Sequence, residues 1–489
     1  MSPLAIIGII LGYFILLVAI SYFTSKGADN ESFFTGNKNS KWYLVAFGMV
    51  GASLSGVTFV SVPGWVQDSQ FSYMQMVLGY LVGYFIVANV LMPLYYRLNL
   101  TSIYTYLEQR FGFWSYKTGA FYFLLSRIIG ASFRLFLVAS VFQIAVFEGW
   151  NVPFWVTVAI TILLIWIYTF KGGIKTIVWT DTLQTLFMLS AVGVTIVVIA
   201  MQLDWTFSEM ITQVKTSEYS KLFFFENWND KQYFFKSFLS GVFITIVMTG
   251  LDQDMMQKNL SCKNIKEAKW NMYAMSIVLV VVTFVFLFLG ALLFLYANQK
   301  GIEIPSRTDE LFPMLATGGY LGYTVAICFI LGLIAAAYSS ADSALTALTT
   351  SFCVDILEVE KKDSTKQTQV RQRTHIGMSV VLFLVILLFE AINDNSVIDA
   401  LFKAASYTYG PLLGLYAFGL FTKYAVKDKF VPIICLVSPV VCYILNLNSV
   451  AWLGGYEFGY DLLIVNGGLT FIGLFAIKKE FLVSELNKK

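Results

Sequence analysis

The segment AAAYSSADSALTALTT sets Ala336, Ser339, Ser340 and Ser343 at steps of three, four and seven, so they share one face of a helix. Sodium is a hard cation that takes about five or six oxygens, and clustered hydroxyls with freed carbonyls supply them without binding too tightly. Serines in apolar helices also bond back to the carbonyl four residues earlier. Asp342, near the edge of the same face, shifts the reading toward a site, because a charge at mid-bilayer costs about 2.5–3.5 kcal/mol. Asp181 follows FKGGIKTIVWT and opens a long apolar run. An acid at a helix start is often only a cap, but Trp179 and the run beyond argue for membrane depth and a functional role. Arg127 and Arg134 lie seven apart on one face. Guanidinium groups this deep either pair with an internal acid or bind a carboxylate or phosphate. Asp399 and Lys403, four apart, read as a local pair.

These residues need a scaffold that crosses a bilayer. The 489 residues are 57% hydrophobic, 17% aromatic and 13% charged, too apolar for a soluble protein. The apolar residues fall in blocks of about 20, the length of one crossing. The predicted spans are 3–24, 42–68, 73–96, 118–147, 152–169, 177–201, 237–253, 272–297, 319–352, 375–392, 396–421, 430–447 and 460–477. An N-terminus outside and a C-terminus in the cytoplasm put 24 of the 33 lysines and arginines in cytoplasmic segments and 6 in external ones, the positive-inside pattern. The net charge of +3 points to no nucleic acid, and a single histidine, His375, leaves no histidine-based metal or triad chemistry. The five cysteines lack metal-ligand spacing and read as buried thiols. No catalytic constellation or soluble domain is present, so an enzyme is not expected.

Two spans look built to break. The second contains AFGMVGASLSGVTFVSVPGWV, and the seventh reads FLSGVFITIVMTGLDQ with an acid at its inner end. Glycine can simply let helices pack closely. Yet taking 42–201 and 237–421 as two five-helix halves puts each interrupted helix first in its half, and transporters with inverted repeats bind their cargo at such breaks. Around these halves lie 1–41 with an extra helix, the external loop 202–236, and 422–489 with two more helices and a tail.

Five collinear motifs resemble the sodium/solute symporters, which include sodium/glucose and sialic acid symporters and share the leucine-transporter-type fold. They are TSIYTYLEQRFG, KGGIKTIVWTDTLQ, GLDQDMMQKNLSCKNIKEAKW, AAAYSSADSALTALTT and YGPLLGLYAFGLF, spread over roughly residues 1–425. The resemblance implies an all-α polytopic membrane protein of about thirteen helices with a five-plus-five inverted-repeat core. It implies Na+ as coupling ion and symport of a small organic solute by alternating access. The sodium site maps to Gly51, Leu54, Ala336, Ser339 and Ser340. A second sodium or proton site maps to Asp181, Ser339, Asp342 and Ser343, with Asp342 standing where a sialic acid symporter has serine. Solute contacts are expected from Ser55, Thr58, Gln75, Arg127, Arg134 and Thr245. Sugar-transporting relatives carry asparagine and tyrosine where this chain has Thr245 and Met248, and span eight has no lysine. A hexose is therefore disfavoured, while the span-four arginine with which a sialic acid symporter holds its substrate carboxylate, near the level of Arg127, favours a carboxylate-bearing solute such as a sialic acid or other organic acid. A sugar, polyol or amino acid, or proton coupling on the same fold, are the alternatives. The partners implied are the solute, sodium ions and the lipid bilayer, with no obligate protein partner.

Overall fold

The computed structural model describes residues 3–24, 38–361, 363–392 and 397–479. The loop after the first span, the side chains of Lys171 and Lys175 in the KGG motif, and the basic tail lie outside the described residues. Apolar blocks this long become helices because, in hydrocarbon, every backbone amide and carbonyl must bond within its own segment. Among the described residues, nine helices are long and apolar enough to cross a membrane, or ten if the bent pair Phe234–Gly250 and Gln253–Leu260 is one span. Three shorter apolar helices, Phe154–Ile167, Gly410–Phe421 and Leu462–Ala476, stand where the other predicted spans were placed.

In chain order the principal helices are α1 (Pro3–Thr24), α2 (Trp42–Ser69), α3 (Tyr73–Ile86), α4 (Phe113–Phe142), α5 (Phe154–Gln202), α6 (Phe234–Thr245) and α7 (Gln253–Leu260). They continue as α8 (Ile265–Lys300), α9 (Gly322–Ser351), α10 (Ser364–Ile392), α11 (Val397–Thr408), α12 (Gly410–Phe421), α13 (Val431–Trp452) and α14 (Leu462–Ala476). One difference from expectation is that helix runs unbroken through 152–169 and 177–201 as α5. The sequence separates these spans at the polar stretch KGGIK, and a polar stretch with two glycines, each costing about 1 kcal/mol, need not end a helix.

The centre is α2, buried almost throughout, whereas α1 and α13 expose most of their apolar surface as lipid-facing helices do. Its closest neighbours are α5, α8 and α9. Small residues make these approaches possible. A Cβ on Gly241 of α6 would lie 2.0 Å from Met76 O, and one on Gly79 of α3 would lie 2.1 Å from Phe238 O. Glycine at both positions lets α3 and α6 touch backbone to backbone. Ser40, just before α2, bridges to Cys262, just after α7, so the two interrupted helices are tethered at one end.

Candidate functional site

Helix α2 breaks at Ser55, whose φ of 48° and ψ of 172° lie outside any helical region. Its first half is clamped by α5. A Cβ on Gly51 would meet Thr185 Oγ1 at 2.1 Å, and one on Gly48 would meet Asp181 Cβ at 2.9 Å. Thr185 donates to the Phe47 carbonyl at 3.0 Å, and Thr182 donates to that of Leu44 at 3.3 Å. The second break is built differently. A π turn at Ile246–Gly250 ends α6, and α7 leaves at 65° to it. Asp252 caps α7 by accepting from the amides of Asp254 and Met255, at 2.9 and 3.3 Å. The hydroxyls of Tyr95 and Tyr104 donate to the carbonyls of Gly250 and Leu251, at 2.7 and 2.9 Å.

Of the sodium set, Gly51 and Leu54 immediately precede the break, and Ala336, Ser339 and Ser340 lie on α9, which packs on both α2 and α5. All five are buried. The Ser340 hydroxyl is buried without a hydrogen-bond partner, as is that of Ser343. An unpartnered buried hydroxyl costs about 1–3 kcal/mol, which a cation coordinated at Ser340 Oγ would offset. Of the second set, Asp181 and Ser339 meet, with Ser339 Oγ donating to Asp181 Oδ1 at 2.7 Å. Asp342 turns Oδ1 to the Ser343 amide at 2.6 Å.

The other oxygen of Asp181 is held by Lys258, Nζ to Oδ2 at 2.7 Å, with both side chains 1% exposed. The sequence places Lys258 among cytoplasmic loop lysines. The polar run after the second break forms α7 and folds back into the core, so this side chain is buried.

A cavity of about 90 Å³ opens beside the α2 break and is lined by Ser55, Thr58, Arg127, Arg134, Thr245 and Met248, among others. Gln75 is not one of its residues. Its amide donates to Gln232 O at 2.9 Å and accepts from Phe224 N at 3.0 Å, so it pins the 202–236 loop. Gln75, expected among the solute contacts, thus lies apart from this cavity. The two arginines differ. Arg127 contacts Asp254 and lies 3.9 Å from Asp252, which in turn accepts from Tyr409 OH at 2.5 Å. Arg134 has no acid within salt-bridge distance among the described residues, and its Nε lacks a hydrogen-bond partner.

Aromatic side chains close one side of this cavity. Tyr73 OH lies 3.1 Å from Tyr80 OH, and the Tyr73 ring sits 6.3 Å from that of Phe402. Tyr73 also lines a second cavity of about 240 Å³ with Asp68, Lys231, Asp399 and Lys403. Asp399 and Lys403 form the expected local pair at 2.7 Å. Sequence reasoning missed Asp254, Lys258, Tyr409 and this aromatic layer. The one available signal was the clustering of charge in GLDQDMMQK directly after a glycine-marked break.

Known proteins resemble this chain in sequence and fold. The chain is 26% identical over 427 residues to the sodium/sialic acid symporter NanT of Aliivibrio fischeri, covering 83% of this chain and 80% of that one. It is 26% identical over 435 residues to the sodium/sialic acid symporter SiaT of Proteus mirabilis, covering 85% and 84%. A solved substrate-bound outward-open state of a Na+-coupled sialic acid symporter superposes with a TM-score of 0.80 at 22% identity, over 97% of this chain and 99% of that one. That likeness establishes the fold, a helical transporter fold of many apolar spans. The model of the sodium:solute symporter family matches residues 33–428, and the chain belongs to that family of sodium-coupled membrane symporters.

Proposed function

We propose that this protein imports a carboxylate-bearing organic solute together with sodium by alternating access, with Arg134 as the carboxylate anchor. The observation that carries the reading is a guanidinium without an acid partner, facing a buried cavity at the break of α2. A buried arginine left in that state is costly unless an anion completes it, and its planar fork suits a carboxylate. Ser55, Thr58 and Thr245 then face the body of the solute. Similarity to two sialic acid symporters supports an acidic sugar as one candidate.

Thirteen crossings in two halves, 42–201 and 237–421, fit the packing. The first helix of each half lies against the second helix of the other, α2 on α8 and α6 on α3. This reciprocity is expected of a pseudo-twofold repeat. The lysine and arginine bias supports the N-terminus outside and the C-terminus in the cytoplasm of the cell membrane. In the cycle, sodium binds at Gly51, Leu54, Ala336, Ser339 and Ser340 and settles the α2 break. The solute then completes Arg134, and the layer of Tyr73, Tyr80 and Phe402 separates the site from the outer cavity.

A thermal-shift panel of sialic acids, monocarboxylates and neutral sugars, each with and without sodium, tests this. Sodium-dependent stabilisation by acids, lost in Arg134→Gln, is expected. Stabilisation by neutral solutes alone would overturn the carboxylate reading, and a proton-driven response without sodium would overturn the coupling ion.

A further inference from the structure

The second cation set, Asp181 with Ser339, Asp342 and Ser343, meets an obstacle within the core. Each of the two oxygens of Asp181 already accepts one hydrogen bond. Oδ2 accepts from the Lys258 ammonium at 2.7 Å, and Oδ1 accepts from the Ser339 hydroxyl at 2.7 Å. Lys258 is itself anchored, because α7 is capped by Asp252 and the Lys258 carbonyl accepts from Ser261 Oγ at 2.7 Å. Each oxygen keeps a further lone pair, but a sodium ion there would have to share the single negative charge that the ammonium already balances. It would also sit a few ångströms from that ammonium, where a buried like charge is strongly repelled.

The pair has a second effect. An ionised carboxylate only accepts hydrogen bonds, so Ser339 must donate its single hydrogen to Asp181. Both lone pairs of Ser339 Oγ are then turned away from the acid and free to coordinate a cation. Metal ligands are commonly oriented by an outer partner in this manner.

We infer that Lys258 is the built-in cation of the Asp181 site, so that this chain carries one sodium per solute and Asp181 acts as a positioning residue for Ser339. The inference rests on the sodium-coupled reading of the fold. A singly charged acid carried with one sodium moves no net charge. A tenfold sodium gradient would then sustain about tenfold accumulation, against roughly five-thousandfold for two sodium ions at 100 mV.

Radioactive sodium counted on the purified full-length protein tests it. The wild type should bind about one ion with a Hill coefficient near one. Lys258→Ala, which strips Asp181 of its cation, should bind about two with a coefficient near two. The double variant Asp181→Asn with Lys258→Gln, neutral and similar in shape, should return to one, which separates an opened site from damaged folding. Two ions on the wild type, with one lost in Asp181→Asn, would overturn the inference even if Lys258→Ala does not fold. A count of one in folded Lys258→Ala would overturn it as well. Absence of any bound sodium on the wild type would instead sink sodium coupling, and the inference with it.

Discussion

Arg127 and Arg134 stand two turns apart on one face of α4, and only Arg127 has acids, Asp254 and Asp252, against its guanidinium. The two should therefore fail differently. Arg134→Gln should weaken binding of an acidic solute by roughly 10- to 150-fold, the worth of a hydrogen bond to a charged group, while sodium binding persists. Arg127→Gln should instead strand the buried acid Asp254 and destabilise the protein by about 3–5 kcal/mol. Solute titrations and melting curves in detergent, run on both variants, check the contrast, and equal behaviour would refute it.

Ser340 carries an unpartnered buried hydroxyl at the sodium set. Ser340→Ala should raise the sodium concentration for half-maximal uptake about tenfold or more, since a hydrogen-bond-strength contact to a charge is lost. Ser340→Cys should fall between. Sodium activation like wild type in Ser340→Ala would remove this residue from the site.

Ser55 holds a positive φ that side chains other than glycine rarely adopt, at a cost of order 1–3 kcal/mol. Ser55→Gly should keep or raise the melting temperature, and Ser55→Val should lower it sharply. If both variants melt alike, the break does not store strain.

Tyr73 lines both the cavity at the α2 break and the larger one beside Asp399 and Lys403, and is braced by Tyr80 and Phe402. A cysteine at Thr245, which lines the cavity at the break, should react slowly with a charged thiol reagent added outside. Adding Tyr73→Ala should speed that labelling at least severalfold. An unchanged rate would place the barrier elsewhere.

Cys262, in the short link between α7 and α8, is fully buried, and burial pushes its thiol up to about 12. The raised value favours the neutral form in the folded state. Its contribution to stability is whole below the ordinary thiol range near 9 and is lost as pH climbs through 12. Maleimide should spare Cys262 in the intact protein at pH 8 and label it after unfolding in detergent.

Much of the fold was legible from the chain alone. Hydrocarbon demands internally bonded backbone over about 20 residues at a time, so apolar block length marks helices almost directly. The α2 break was legible too, because Gly51, Gly56 and their small neighbours in AFGMVGASLSGV announce a helix that can open. So was the shared face of Ser339 and Ser340, a matter of spacing within one element. Pairing between elements was not legible. Lys258 reaches Asp181 across 77 positions of sequence and Ser339 reaches it across 158; no local period encodes such distances. Hydropathy sorts a lysine in a polar run as solvent-facing, and only the turn at Asp252, which carries α7 back into the core, reverses that. The sequence by itself determined that this chain spans a membrane and presents hydroxyls and carboxylates inside it. The tertiary structure alone decided which arginine stands against acids and which acid stands against a lysine, because a buried charge takes its partner from whatever neighbour the fold sets against it.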